Sequence, residues 1–181
     1  MNPLAAVVCG IFAVWHWHSP VEAVAGFLYL MALAEAARTD LATRTIKNEL
    51  NLAVAALGVV LAAASVAWPQ LLLPVAGVGA LERLAGALAL GAPLLVANVA
   101  TRSAAFGGGD VKLLAASGLV LGLRVGVLGL GAGILLGGLY ACYLKFVRHE
   151  PGSTTFALGP WLAIGCAAAY AFGPALLPLV W

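Results

Sequence analysis

The feature that most constrains this chain is a series of apolar stretches, each close to the length of a membrane span, that recur from end to end. Only 9% of the residues are charged, whereas a soluble domain carries roughly a quarter. The mean hydropathy is +1.06. Because such a surface cannot face water all round, the sequence predicts an all-α, polytopic integral membrane protein.

Seven apolar segments are candidate spans. They are Pro3 to Trp17, Val21 to Arg38, Leu50 to Trp68, Leu84 to Ala100, Val111 to Gly122, Val125 to Val147 and Phe156 to Phe172. The first lacks the basic flank of a signal peptide and is predicted to be retained. The fifth is short for a full crossing, so the count is six if that segment is re-entrant. The polar stretches leave no room for a soluble domain, and we expect residues 1–181 to form one transmembrane domain.

The basic residues predict the orientation. Seven of them fall in or beside three loops on one side: Arg38, Arg44, Lys47, Arg102, Lys112, Lys145 and Arg148. Only Arg83, in the connection before the fourth span, and Arg124 fall on the other side. This bias predicts that the first side and the N-terminus are cytoplasmic and that the C-terminus is outside. The net charge of +2 is too small to indicate nucleic-acid binding.

Glycines recur every four residues on two of the predicted spans. Gly129, Gly133 and Gly137 do so on the sixth, and Gly118 and Gly122 on the fifth. Small residues at this spacing let helix backbones approach closely within a membrane. The pattern predicts a tightly packed helical bundle.

Three carboxylates lie at or near the cytoplasmic ends of spans, where a charge is costly enough to need a reason. Asp110 follows three glycines and precedes a helix, whose N–H groups favour a negative charge; a simple N-capping Asp is the alternative. Asp40 has Arg44 four residues later, so the two can pair if the helix continues. An ordinary surface ion pair is the alternative there. Glu35 is five residues from Asp40, on a different helical face.

Two carboxylates that face each other have a known use in hydrolysis. At close range they do not both ionise cheaply, so one keeps a proton near neutral pH. The charged one then activates water, and the neutral one donates to a carbonyl. His16, His18 and His149 lie near no plausible nucleophile, and the three cysteines have no metal-ligand spacing. We therefore expect neither a metal nor another cofactor.

At this point the chain resembles the type IV prepilin peptidases, a branch of the GxGD aspartyl proteases. The GxGDxKL pattern is complete from Gly107 through Gly108, Gly109, Asp110 and Lys112 to Leu113. A D…R.IPN pattern resembles Asp40 with Arg44, Ile46 and Asn48, and a GPxLxxG element resembles Gly159 and Pro160 with Leu162 and Gly165. The resemblance covers about Val21 to Phe172.

The resemblance implies a catalytic dyad of Asp40 and Asp110 that cuts the leader peptide from prepilins or prepilin-like proteins. The cut is expected at the cytoplasmic face of the bacterial inner membrane. Lys112 either neutralises charge near Asp110 or binds lipid phosphate. Beyond the leader peptides and the lipid bilayer, no partner is indicated, and the oligomeric state is not predicted.

Two departures from the family pattern matter. Lys47 replaces the Pro of IPN, so the turn after Asp40 loses a φ restraint and is expected to be helical or looser. The cytoplasmic insert with paired CxxC motifs, linked to N-methylation in larger relatives, is missing. The chain therefore resembles the short, peptidase-only members of tight-adherence (Flp) pilus systems, without methyltransferase activity.

Two other functions are weighed against a peptidase. A small proton-coupled transporter would place its carboxylates near mid-bilayer, usually between inverted repeats, and neither feature is visible here. A catalytically inactive scaffold for pilus assembly shares every motif, and only an activity assay separates it from the enzyme.

Overall fold

A computed structural model describes residues 20–67, 78–101, 107–149 and 157–180. Six helices are present in these ranges: α1 Pro20–Thr43, α2 Asn48–Ala67, α3 Ala80–Ala100, α4 Gly108–Leu121, α5 Leu123–Phe146 and α6 Gly159–Val180. They correspond to the second through seventh predicted spans, and the all-α prediction is confirmed. The first predicted span, Pro3 to Trp17, lies outside the described residues, so the count of seven spans stays a prediction.

Three of the helices, α2, α3 and α5, are long and apolar enough to cross a membrane. The chain is therefore an integral membrane protein. Helix α4, the short fifth segment, has 14 residues, or about 21 Å at 1.5 Å per residue, against a hydrocarbon core of about 30 Å. Nine of its residues are buried. It packs chiefly against α2 and α3, as a central helix of the bundle.

The buried face of α1 leads directly to the predicted site. Tyr29, Leu33 and Ala36 are all at most 2% exposed and follow each other at spacings of four and three residues, which marks one helical face. Asp40 comes four residues after Ala36 and continues that face. The packing of α1 in the core therefore carries this carboxyl into the protein rather than out to solvent.

Helix contacts at the glycines confirm the predicted close packing. A Cβ atom on Gly133 would lie 2.9 Å from Cα of Leu162, and one on Gly137 would lie 2.9 Å from Cδ1 of Leu158. A Cβ on Gly118 would meet the backbone of Gly86. Helices α5 and α6, and likewise α3 and α4, therefore approach each other too closely for larger side chains.

Arg83 corrects one expectation from the sequence. It belongs to the first turn of α3 rather than to a connection, and it is 1% exposed. Its Nη1 donates to the carbonyl oxygens of Leu119 (3.2 Å) and Val120, in the last turn of α4. The last carbonyls of a helix lack partners within it, and a cation is favoured there. Arg83 thus anchors the end of α4 opposite Asp110.

Candidate active site

Asp40 lies in the last turn of α1 and is 6% exposed. The C-terminal end of a helix is an unfavourable place for a negative charge. A different helix offsets this, because the amide N–H of Gly159 donates to Oδ2 of Asp40 at 3.0 Å. Gly159 is the first residue of α6, where N–H groups have no acceptor within the helix. Asp40 therefore binds the positive end of α6, as anions commonly do.

The start of α6 is shaped to receive this carboxyl. A Cβ atom on Gly159 would lie 2.6 Å from Oδ2 of Asp40 and 2.9 Å from its Cγ. Only glycine leaves space for so close an approach. Pro160 follows as a buried residue of the first turn, where its missing N–H would have had no acceptor in the helix. The GPxLxxG element thus provides the start of α6, whose first amide N–H binds the carboxyl of Asp40.

The connection between α1 and α2 is not helical, so Arg44 lies just past the helix that carries Asp40 rather than within it. Helix α1 ends at Thr43, and Arg44 adopts a left-handed conformation with φ of 53°, a frequent way to end a helix. The positive charge of Arg44 nevertheless opposes the rise that burial causes in the pKa of Asp40. Lys47, which replaces the family proline, closes the turn because its carbonyl accepts the amides of Leu50 (3.2 Å) and Asn51 (3.4 Å) at the start of α2.

Asp110 occupies the third position of α4, after the N-terminal cap residue Gly107. The interpretation of Asp110 as the N-cap itself is therefore wrong. Its carboxyl reaches back and accepts a hydrogen bond from the backbone of Gly107, as acidic residues at this position often do. The side chain is 8% exposed, and its Oδ1 is buried with no hydrogen-bond partner among the described residues.

The three glycines before Asp110 have different surroundings. A Cβ on Gly107 would lie 3.0 Å from Oδ2 of Asp110, and one on Gly109 would lie 3.0 Å from Cβ of Ile46. A Cβ on Gly108 would have no neighbour within 4 Å. The first glycine therefore leaves room for the carboxyl of Asp110, the third lets Ile46 of the α1–α2 turn approach the start of α4, and the middle position is open.

The two aspartate carboxyls lie just beyond the predicted apolar spans and influence each other's charge. Burial, and then the charge of Asp40, raise the pKa of Asp110 to about 6. Burial also raises the pKa of Asp40, but the amide of Gly159 and the charge of Arg44 oppose that rise. Both carboxyls lie at a helix N-terminus, but Asp40 also has the charge of Arg44 beside it and the pKa of Asp110 is raised further, so Asp40 is the carboxyl that ionises first.

Lys112 and Glu35 each make a direct contact with a residue other than the two aspartates. Lys112 donates from Nζ to Oδ1 of Asn48 at 2.9 Å, which ties α4 to α2 and turns the ammonium group toward Asn48 rather than Asp110. Glu35 accepts two hydrogen bonds from Arg38, at 2.8 Å and 2.5 Å. That ion pair occupies the exposed side of α1, so Glu35 does not compete with Asp40.

Asn51 belongs to the site although the sequence patterns did not single it out. It is 5% exposed, and its Nδ2 lies 3.4 Å from the carbonyl oxygen of Gly109, which it faces as a donor. The only signal in the sequence is an amide within an apolar segment. Within the part of the chain that the structure describes, no group of three His, Cys, Asp or Glu side chains is arranged to hold a metal ion.

The fold and the site together define a helical integral membrane protein with two buried, coupled carboxyls at one end of the bundle. The sequence model of the Type IV leader peptidase family matches residues 27–142. The chain belongs to this family. The matched region includes both Asp40 and Asp110 but ends before Gly159. No curated protein and no solved structure matches the chain significantly.

Proposed function

We propose that this protein is an aspartic endopeptidase of the membrane that removes the leader peptide from type IV prepilins or prepilin-like proteins. Family membership gives the substrate class. The observation that carries the proposal is the unequal environment of the two carboxyls: burial raises the pKa of both, but Gly159 and Arg44 oppose the rise at Asp40, whereas the pKa of Asp110 is raised to about 6. One charged and one protonated carboxyl are what peptide hydrolysis by a pair of aspartates requires.

The proposed mechanism assigns each carboxyl a role. Asp40 takes a proton from water, whose oxygen attacks the carbon of the scissile peptide bond. Asp110 donates its proton to the carbonyl oxygen, which gives a neutral diol. When the diol collapses, the C–N bond breaks, Asp40 passes its proton to the leaving amine, and Asp110 recovers a proton from the diol. Oδ1 of Asp110 has no hydrogen-bond partner among the described residues, and it is the atom proposed to carry the proton to the carbonyl oxygen of the substrate.

The glycines and the α6 cap support this division of roles. Gly107 leaves room for the carboxyl of Asp110, Gly109 allows the α1–α2 turn to approach the start of α4, and Gly159 holds Asp40 with a fixed donor. Preorganised donors of this kind stabilise charge without a cost of reorganisation during the reaction. Pro160, Arg44, Asn48 and Lys112 are proposed to shape the site rather than to react.

The finer assignments are part of the same proposal. The bias of basic residues supports an active site at the cytoplasmic face of a bacterial inner membrane. The chain is proposed to act as a single transmembrane domain, without a cofactor. Because it lacks the paired CxxC insert, we infer a peptidase-only enzyme of the tight-adherence type that does not methylate its product.

The test is to co-express a prepilin with the wild-type protein or with Asp40→Asn, Asp110→Asn or Glu35→Gln. The leader is followed by gel shift and the new N-terminus by mass spectrometry. Glu35→Gln is the matched control, since it removes a nearby carboxylate that Arg38 already engages. We expect cleavage by the wild type and the control only. Cleavage by either Asp variant would overturn the dyad, and no cleavage by a folded wild type would favour the inactive scaffold.

A further inference from the structure

An open groove of about 620 Å³ lies next to the site, between helices α2, α3 and α4. Its walls are mostly apolar and built from small side chains, including Ala55, Ala87 and Ala115. One end is polar, where Asn48, Asn51 and Lys112 line it. The polarity of the groove therefore falls along its length, from amide and ammonium groups near the site to small apolar groups along the helices.

The polar end is continuous with the candidate active site. Asn51 lines the groove and directs its Nδ2 to the carbonyl of Gly109, one residue before Asp110. Its Oδ1 is buried and has no hydrogen-bond partner within the described ranges. A buried acceptor without a hydrogen bond costs free energy, so a ligand that supplies a donor to it is bound more tightly. The backbone N–H of a bound peptide is a donor of the right kind.

We propose that Asn51 and this groove form the subsite for the apolar helix that follows the scissile bond of the substrate. This inference rests on the proposed peptidase function and names where the substrate's membrane segment binds. Oδ1 of Asn51 accepts a backbone N–H near the start of that segment. The small side chains of α2, α3 and α4 let the helix lie close, as small residues do between membrane helices.

A peptide fits this groove better than a lipid does. A lipid phosphate is favoured by a net positive charge, but Lys112 and Glu49 both line the polar end and their opposite charges offset each other. Asparagine amides both donate and accept, as a peptide backbone requires. The groove also reaches the active site through Asn51 and Gly109. A substrate must contact the two carboxyls there, whereas a lipid need not.

The first test fills the groove. Ala55→Phe places a large side chain in it, while Ala56→Phe changes the neighbouring exposed residue of α2, which does not line it. The purified enzyme in proteoliposomes is assayed on a full-length prepilin and on a short peptide that ends a few residues after the scissile bond. We expect Ala55→Phe to raise KM about tenfold or more for the prepilin. It should leave KM for the short peptide unchanged, and Ala56→Phe should leave both unchanged.

The second test does not depend on cleavage. A photo-crosslinking amino acid is placed at Leu52, an exposed groove residue, or at Val60, an exposed residue of α2 outside the groove, in the Asp110→Asn protein. We expect crosslinks from Leu52, and not from Val60, to the apolar segment of a prepilin.

The outcomes separate the two proposals. Equal effects of Ala55→Phe and Ala56→Phe, or crosslinks from Leu52 to lipid only, would overturn the subsite while cleavage by the wild type kept the peptidase assignment. If the folded wild type cleaves nothing, the peptidase proposal fails, and the crosslink alone decides whether the groove binds the segment.

Discussion

The burial of Asp110 predicts that replacing it stabilises the protein, in a way that depends on pH. Its pKa of about 6 in the fold compares with the usual value of 3.8. At 1.36 kcal/mol for each pKa unit, ionising Asp110 costs the folded state about 3 kcal/mol. Because the pKa is raised on folding, stability is highest below pH 4 and is lost as the pH rises through 6. Asp110→Asn, which is neutral at every pH, should escape this loss.

The measurement is thermal unfolding of the purified protein in detergent, between pH 4 and pH 8. We expect Asp110→Asn to be more stable than the wild type by about 2 to 3 kcal/mol at pH 8, or roughly 5 to 10 °C in Tm for a chain of this size. The two should coincide near pH 4. Glu35→Gln is the control and should show no gain, because that carboxylate is paired with Arg38. A variant that is less stable than the wild type at pH 8 would refute this reasoning.

Three further substitutions test the geometry. Gly109→Ala should reduce leader cleavage at least about tenfold, because its Cβ would meet Ile46 at 3.0 Å, while Gly108→Ala should cleave normally; equal rates would contradict the contact. Gly159→Ala should displace the carboxyl of Asp40 from its amide donor, and cleavage at the wild-type rate would show that this donor is not needed. Arg83→Met should lower thermal stability by about 1 to 3 kcal/mol, because two carbonyls of α4 lose their donor; an unchanged Tm would count against the anchor.

The helices of this protein could be predicted from its sequence more readily than their ends. Apolar runs identify α2 and α3 because a span needs a fixed length of apolar chain. The end of α1 before Arg44 is not predictable from the sequence, since a left-handed residue carries no sequence signal when it is not glycine. The position of Asp110 within the first turn of α4 likewise depends on which glycine caps the helix.

The other features that the sequence does not reveal depend on hydrogen bonds between residues that are far apart in the chain. The sequence places Arg83 in a connection because the stretch before the fourth span carries Pro and Gly residues. Its true acceptors are at the end of α4, 36 and 37 residues away. Asn51 and Gly159 are similar cases, because each acts through a contact with a different helix. The motifs predict which residues form the site, and the packing of the helices determines how these residues are arranged.

The most direct test of the central claim is the pH dependence of leader cleavage by the purified protein in proteoliposomes. If Asp40 acts as the charged base and Asp110 as the protonated acid, kcat should be highest below pH 6, between the pKa of Asp40 and the pKa of Asp110. It should fall at lower pH as Asp40 gains a proton, and fall about tenfold per pH unit well above 6 as Asp110 loses one. A rate that keeps rising to pH 9, or one that survives in Asp40→Asn, would contradict the account.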